Sequence, residues 1–257
     1  MPEPDLQLFA LRGLPSIQQG DDLAALIADA LRKNDLRLQA GDILVVASKI
    51  VSKAEGRLVD LRTVQPSAQA RALAAQTGKD ARLVELVLRE AQSISRVGAQ
   101  VIITRHRLGF ISANSGVDQS NVCGDDEWAL LLPENPDRSA RALRERLGAL
   151  CGVTPAVIVS DTHGRAHRLG NVGVAIGVAG IAALLDLRGR ADMFGRRLQH
   201  TEIGVADELA AAAELVSGQA AEGLPVVLIR GYRPPDGAHA DGSAADLYRP
   251  PHMDLYS

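Results

Sequence analysis

The sequence predicts an α+β (mixed α/β) chain, on three observations. Segments of helical and strand periodicity alternate irregularly, short strand-like segments cluster near the middle, and the residues available for a core are aliphatic. Hydrophobic residues make up 46% of the 257 but aromatics only 3%, so Leu, Val, Ile and Ala must fill that core. A regular doubly wound sheet would need strand and helix to alternate one for one, and they do not.

The elements follow in order. "DDLAALIADALRKN" sets Leu23, Leu26, Ile27, Ala30 and Leu31 on one helical face, with Asp21 or Asp22 placed to cap it. "GDILVVAS" (41–48) reads as a buried strand, and 66–90 as two helices broken at Thr77-Gly78. Short strands are expected at 93–97, 100–105 and 109–112. "PDRSARALRERLGALCG" carries a stripe of Ala140, Leu143, Leu147 and Leu150 and predicts an amphipathic helix. "PAVIVS" is a strand, and "VGVAIGVAG" is either a strand or a tightly packed backbone run. "VADELAAAAELVSG" predicts a helix and "PVVLIRG" a last strand. From Arg233 the chain turns to Pro, Gly, Asp and Ala, a composition that buries little and reads as an extended tail.

Composition narrows the function. Lys plus Arg number 28 against 31 acids, a net charge of −3 that argues against a nucleic-acid binder. No window approaches the length of a membrane span, and the N-terminus has no secretory pattern, so a cytoplasmic protein is expected. Cys123 and Cys151 lie far apart without metal spacing and read as free thiols.

Three polar clusters interrupt the apolar segments. In "ASKIVSKAEG", Ser48, Lys49, Ser52 and Lys53 follow a strand end, where two ammonium groups beside hydroxyls suit a polyphosphate. Solvated lysines are the plainer reading of that segment alone. "ISANSGVDQSNVCGDDE" is an oxygen-rich loop, with Asn114, Ser115, Asp118, Asn121, Asp125 and Asp126, of a kind that holds Mg²⁺ or Mn²⁺. Taken alone it reads more simply as a turn using Asn, Asp and Gly for positive backbone angles. In "VIVSDTHGRAHRLGN" a strand ends in Asp161 and Thr162, which read either as metal ligands or as a helix cap or Asx turn. His163, Arg165, His167 and Arg168 follow, and Arg165 and Arg168 are candidates for gripping substrate anions. Gly164 makes a helical His163/His167 metal pair a poor reading. Neither G-x-x-x-x-G-K-S/T nor G-x-G-x-x-G is present, so a nucleotide site would be unorthodox.

The order of these motifs carries more than any one of them. "LRGLPSIQQGDDL", "VVASKIVSKAEGR", "NSGVDQSN", "SDTHGRAHRLGNVGVAIGVAG", "DLRGRADMFGRRLQHTEIGVADELAAAAELVSGQAAEG" and "PVVLIRG" follow one another. From about Leu11 to Gly231 the series resembles the coenzyme F420-0:L-glutamate ligase (F420 γ-glutamyl ligase) family, in its single-domain form without the nitroreductase-like extension.

The resemblance implies a GTP-dependent amide ligase. It would activate a carboxylate of the deazaflavin precursor F420-0 as an acyl phosphate, join L-glutamate to it, then add γ-linked glutamate, releasing GDP and phosphate. Two Mg²⁺ or Mn²⁺ sites are implied, with K⁺ as a possible helper. Leu14, Pro15, Ser16 and Ile17 would line the nucleotide, as would Ser48, Lys49, Lys53 and Asn121. So would Ser217, Gly218, Gln219, Ala220, Ala221, Glu222, Gly223 and Leu224. Asp118, Asp161, Thr162 and Gln219 would hold metal, the two aspartates acting in catalysis through it. His163 stands where many relatives carry Phe and, with Arg165 and Arg168, is a candidate substrate contact.

The implied fold is two intertwined lobes per chain in a butterfly-like homodimer. Residues 1–232 would form the ligase domain, with lobes of about 1–90 plus 206–232 and about 91–205, and 233–257 the tail, whose Tyr248 and Tyr256 could dock on a partner subunit. Two other readings stay open: a metal-dependent amide ligase or phosphotransferase with a different carboxylate acceptor, and a non-catalytic deazaflavin- or nucleotide-binding protein.

Overall fold

Residues 43–47, ILVVA, form a strand with both faces covered, which is why the run is uninterruptedly apolar. It lies in a mixed α/β chain whose computed structural model describes residues 5–234 and 241–253. The strands are β1 (Gln7–Ala10), β2 (Ile43–Ala47), β3 (Leu58–Asp60), β4 (Ala91–Gly98), β5 (Val101–His106) and β6 (Ile111–Ala113). After them come β7 (Trp128–Leu130), β8 (Ala156–Arg165), β9 (Arg168–Ala179), β10 (Leu185–Asp186), β11 (Glu202–Ile203) and β12 (Val226–Arg230). The helices are α1 (Leu23–Lys33), α2 (Ser48–Ala54), α3 (Ala68–Thr77), α4 (Ala81–Glu90), α5 (Pro136–Cys151) and α6 (Val205–Ser217).

The main sheet has the order β1-β12-β2-β8-β9, in which β2 and β8 are parallel and the other pairs antiparallel. Alternation along β2 sends Leu44 and Val46 to one face, under α1 and α5, and Ile43 and Val45 to the other, under α6. Side-chain caps set the helix starts: Asp22 accepts from Ala25 N at 3.1 Å, and Asn135 from Arg138 N at 3.0 Å. Leu150, expected on the buried stripe of α5, is 42% exposed in the helix's last turn. Residues 58–131 carry β3–β7, α3 and α4, and build two small cores of their own. The break expected at Thr77-Gly78 is a left-handed glycine, φ 73°, followed by the Asp80 cap of α4.

Four features differ from the sequence expectation. The strand over 41–48 stops at Ala47 and Ser48 opens helix α2, which is too short to show periodicity and buries two serines. β8 does not end at Ser160 but continues through Arg165, because β9 supplies its ladder: Asp161 faces Val174 and Thr162 faces Gly173. Asp161 and Thr162 are therefore strand residues, neither a helix cap nor an Asx turn. The "VGVAIGVAG" run is at once a strand and a close-packed backbone, since a Cβ on Gly173 would lie 2.7 Å from Ala210 O and one on Gly177 2.4 Å from Pro136 O.

The last difference is the tail. Residues 241–250 dock on the body through polar anchors that apolar patterning does not register. Asp137 Oδ1 accepts from Val178 N and Ala244 N, and its Oδ2 from Ser243 Oγ, so one carboxylate ties β9 to the segment. Ala244 is buried, and Tyr248 packs within its own chain, whereas Tyr256 lies outside the described residues. The sheet also joins residues 156–179 to residues 7–47, across the lobe boundary that the resemblance suggests at 90.

Candidate active site

The parallel pair β2–β8 ends at Ala47 and Ser160, its last matched residues. Beyond that point β2 turns away into α2 while β8 runs on with β9, and the space between them opens at the carboxyl ends of two parallel strands. Open α/β sheets bind their ligands at such places. A cleft of about 800 Å³ fills it, near the upper end of the ~300–1,000 Å³ usual for small-molecule sites. Its walls are the 14–17 segment, α2, the 116–121 loop, β8, the last turns of α6 and the 217–224 loop.

On α2, Lys49 and Lys53 are four residues apart and share one face, as do Ser48 and Ser52 on another. The lysine face meets the 118–121 loop. Lys49 Nζ pairs with Asp118 Oδ2 at 2.9 Å and donates to Ser120 O, while Lys53 Nζ donates to Asn121 O at 3.1 Å. Burial by itself would raise the Asp118 carboxyl, but the Lys49 ammonium and the Ser120 amide outweigh it and hold the group below its ordinary range. Asn121 has φ 52° and donates from Nδ2 to Ala220 O at 2.9 Å, so the two loops meet across the mouth.

On the opposite wall Ser48 Oγ donates to Asp161 Oδ1 at 2.9 Å, and His163 Nε2 lies 3.1 Å from Asp161 Oδ2. Both carboxylate oxygens are thus held. Thr162 Oγ1 donates to Glu214 Oε1 at 2.7 Å.

One cleft gathers the whole set of proposed nucleotide and metal positions: residues 14–17, Ser48, Lys49 and Lys53, Asp118 and Asn121, Asp161 and Thr162, and 217–224. The three candidate substrate contacts are not among its lining. His163 turns behind Asp161, Arg165 donates to the carbonyls of Leu169 and Gly170 across the hairpin tip, and Arg168 is exposed at that tip. Part of the oxygen-rich loop is also structural. Asn114 Oδ1 accepts from Ile102 N, and the buried Ser115 bonds Val87 O and Thr104. Glu214 and Asn171 line the cleft and were missed. The one signal for Glu214 was an acid interrupting the apolar "AAAAELV" stretch.

The four proposed metal positions in the cleft, Asp118, Asp161, Thr162 and Gln219, offer carboxylate, hydroxyl and amide oxygen, which suits Mg²⁺ or Mn²⁺ and not a soft metal. Among the described residues no three His, Cys, Asp or Glu converge as a ready metal cage.

Comparison with known proteins gives one answer. The family profile described as F420-0:Gamma-glutamyl ligase matches residues 13–231. The chain is 47% identical to the coenzyme F420:L-glutamate ligase of Methanothermobacter thermautotrophicus, with 98% of each chain covered. It is 48% identical to that of Methanopyrus kandleri over 93% of each. Against that of Archaeoglobus fulgidus it is 41% identical, over 97% of this chain and 96% of the relative.

Proposed function

Because the chain belongs to the F420-0:Gamma-glutamyl ligase family, we propose that it joins L-glutamate to F420-0 through amide bonds in a GTP-dependent reaction. The observation that supports this reading is one cleft that carries both charge signs, Lys49 and Lys53 with Asp118 on one side and Asp161 and Glu214 on the other. A nucleoside triphosphate and a carboxylate are both anions, and their reacting ends must meet between such walls.

In the proposed sequence a carboxylate oxygen of F420-0 attacks the γ-phosphorus of GTP, GDP leaves, and an acyl phosphate forms. The amine of glutamate attacks the acyl carbon, phosphate leaves, the amine gives up a proton, and an amide remains. A second round on the γ-carboxylate gives the γ-linked product. Lys49 and Lys53 supply point charges to phosphate oxygens, exchanging the loop carbonyls they now hold. Asp118, Asp161, Thr162 and Gln219 would hold Mg²⁺ or Mn²⁺, with K⁺ as a further helper; a divalent ion supplies neutralisation of the charge that builds on phosphate oxygens. A homodimer is part of the same proposal.

Product mass decides it. The protein is incubated with F420-0, L-glutamate, GTP and Mn²⁺, each omitted in turn. Glutamyl mass increments matched by GDP support the reading. GDP without glutamylation points to another carboxylate acceptor, and neither product points to a binding protein.

Lys53→Ala should raise the KM for GTP by roughly tenfold, the value of a charge-assisted hydrogen bond, with a smaller change in kcat. Steady-state kinetics in GTP checks this, and an unchanged KM would reduce Lys53 to an anchor for the Asn121 carbonyl.

A further inference from the structure

We infer that the 241–250 segment is a working part of the site and that Tyr248 is a positioning residue, acting through Phe110 and His163 on the carboxylate of Asp161. The inference rests on the reading of Asp161 as a divalent-cation ligand.

The contacts form one continuous chain. Tyr248 meets the ring of Phe110 edge-on, at 5.6 Å between centroids and 66° between planes. Phe110 is stacked on His106 at 5.1 Å and lies against His163 at 5.2 Å. His163 Nε2 then reaches Asp161 Oδ2 at 3.1 Å. In a chain with three phenylalanines and three tyrosines, one of each stands in line behind the His163 ring that meets the proposed ligand carboxylate.

The segment is built to stay there. Gly242 packs so close that a Cβ would lie 2.4 Å from Ala183 N, and its own N–H donates to Ile181 O at 3.0 Å. Ser243 closes a capping box with Asp246 while Asp137 grips Ser243 and Ala244. Across from Tyr248, Gly109 turns at φ 106°, and a Cβ there would sit 3.2 Å from the tyrosine ring. None of these contacts touches the cleft; together they fix where the Tyr248 ring stands against Phe110, the ring that lies against His163.

A ligating carboxylate needs its outer oxygen held, and losing such a support costs about 10- to 100-fold in metal affinity. Ser48 holds one oxygen of Asp161 directly. The other depends on His163, which has Phe110 behind it and Tyr248 behind that.

The full-length chain is tested in three variants, with Mn²⁺ binding followed by water-proton relaxation. Tyr248→Ala should weaken Mn²⁺ binding by about tenfold, and Tyr248→Phe, which keeps the ring edge, should restore it. Leu247→Ala removes packing on the opposite face of the sheet while the Asp137 and Gly242 anchors and the Tyr248–Phe110 contact remain, and should lower Tm while leaving Mn²⁺ affinity unchanged. The His163 ring signal is read by NMR without metal, assigned by its loss in His163→Phe; it should shift in Tyr248→Ala and not in Leu247→Ala. Equal loss of Tm in the two alanine variants, with unchanged Mn²⁺ binding and an unmoved His163 signal, would overturn the inference. If the parent protein binds no Mn²⁺ the metal reading itself fails, and the metal-free His163 signal still decides whether Tyr248 positions that ring.

Discussion

Asp161→Asn should lower turnover by roughly two to three orders of magnitude, the size of effect that follows loss of one preorganised electrostatic contact in a water-excluded site. The substitution keeps the shape and removes the charge. Ser48 can still donate to the remaining side-chain oxygen, and β8 keeps its ladder to β9, since both depend on positions and not on the carboxylate charge. The cost to folding is therefore about one net hydrogen bond, ~1 kcal/mol, or a few degrees in Tm. Turnover and thermal unfolding measured on the same preparation separate the two effects. Near-normal turnover at ordinary Mg²⁺ would remove Asp161 from the metal site. A collapse of Tm in step with activity would make its role structural. The magnitude should also exceed that of Lys53→Ala, because a lost lysine leaves Lys49 on the same helix face.

Asp161 also illustrates what the sequence could and could not disclose. The apolar run "VIVS" identified β8 because both of its faces are buried there. Past Ser160 only one partner strand remains, so the apolar signal fades while the strand itself goes on. α1 and α5 were legible because each combines periodicity with a local cap, Asp22 or Asn135, and α3 and α4 were legible as a pair from the break at Thr77-Gly78. α2 was not. Its buried face includes Ser48 and Ser52, and Ser48 is satisfied by a carboxylate 113 residues away. Of the cleft, the polar clusters were visible as interruptions, and the order of motifs gave them a common purpose. The pairing of Lys49 with Asp118 joins an early helix to a mid-chain loop and leaves no local trace. Glu214 was hidden because an acid near a helix end is normally solvated, and only the fold turns it toward Thr162. The docking of Tyr248 was hidden by the polar composition around it, since Asp137 and the close approach at Gly242 replace an apolar anchor.

Behind the aromatic group that backs Asp161 lies an ionic cluster whose loss should destabilise the fold. Glu90, at the end of α4, receives Arg57 Nη2 at 2.9 Å on one oxygen and Arg107 Nε at 3.0 Å on the other. The buried His106 accepts from Leu108 N at Nδ1, which leaves its proton on Nε2, 3.5 Å from the same carboxylate. Arg57 also donates to Leu132 O and Arg107 to Glu134 O, so the cluster fastens α4 and β5 to the body of the protein. Glu90→Ala takes the shared carboxylate from two partly buried guanidinium groups, each of which keeps one backbone carbonyl, and should cost about 3 kcal/mol, the lower end of the range for breaking a buried pair. Burial opposes ionisation of Glu90, but the His106 N–H facing it and the charges of Arg57 and Arg107 outweigh it and hold its pKa at about 2, below the ordinary 4.5. A depressed folded-state pKa stabilises the fold fully above the unfolded value and loses that contribution as the pH falls from about 4.5 toward 2. The neutral isostere Glu90→Gln lacks the charge at every pH. Its stability deficit against the parent protein, read from denaturant unfolding at pH steps between neutrality and acid, should be constant above pH 5 and shrink below it. A deficit that stays constant into acid would mean that the carboxylate charge contributes nothing. In that case the hold on His106, and the stack of Phe110 upon it, would come from packing alone.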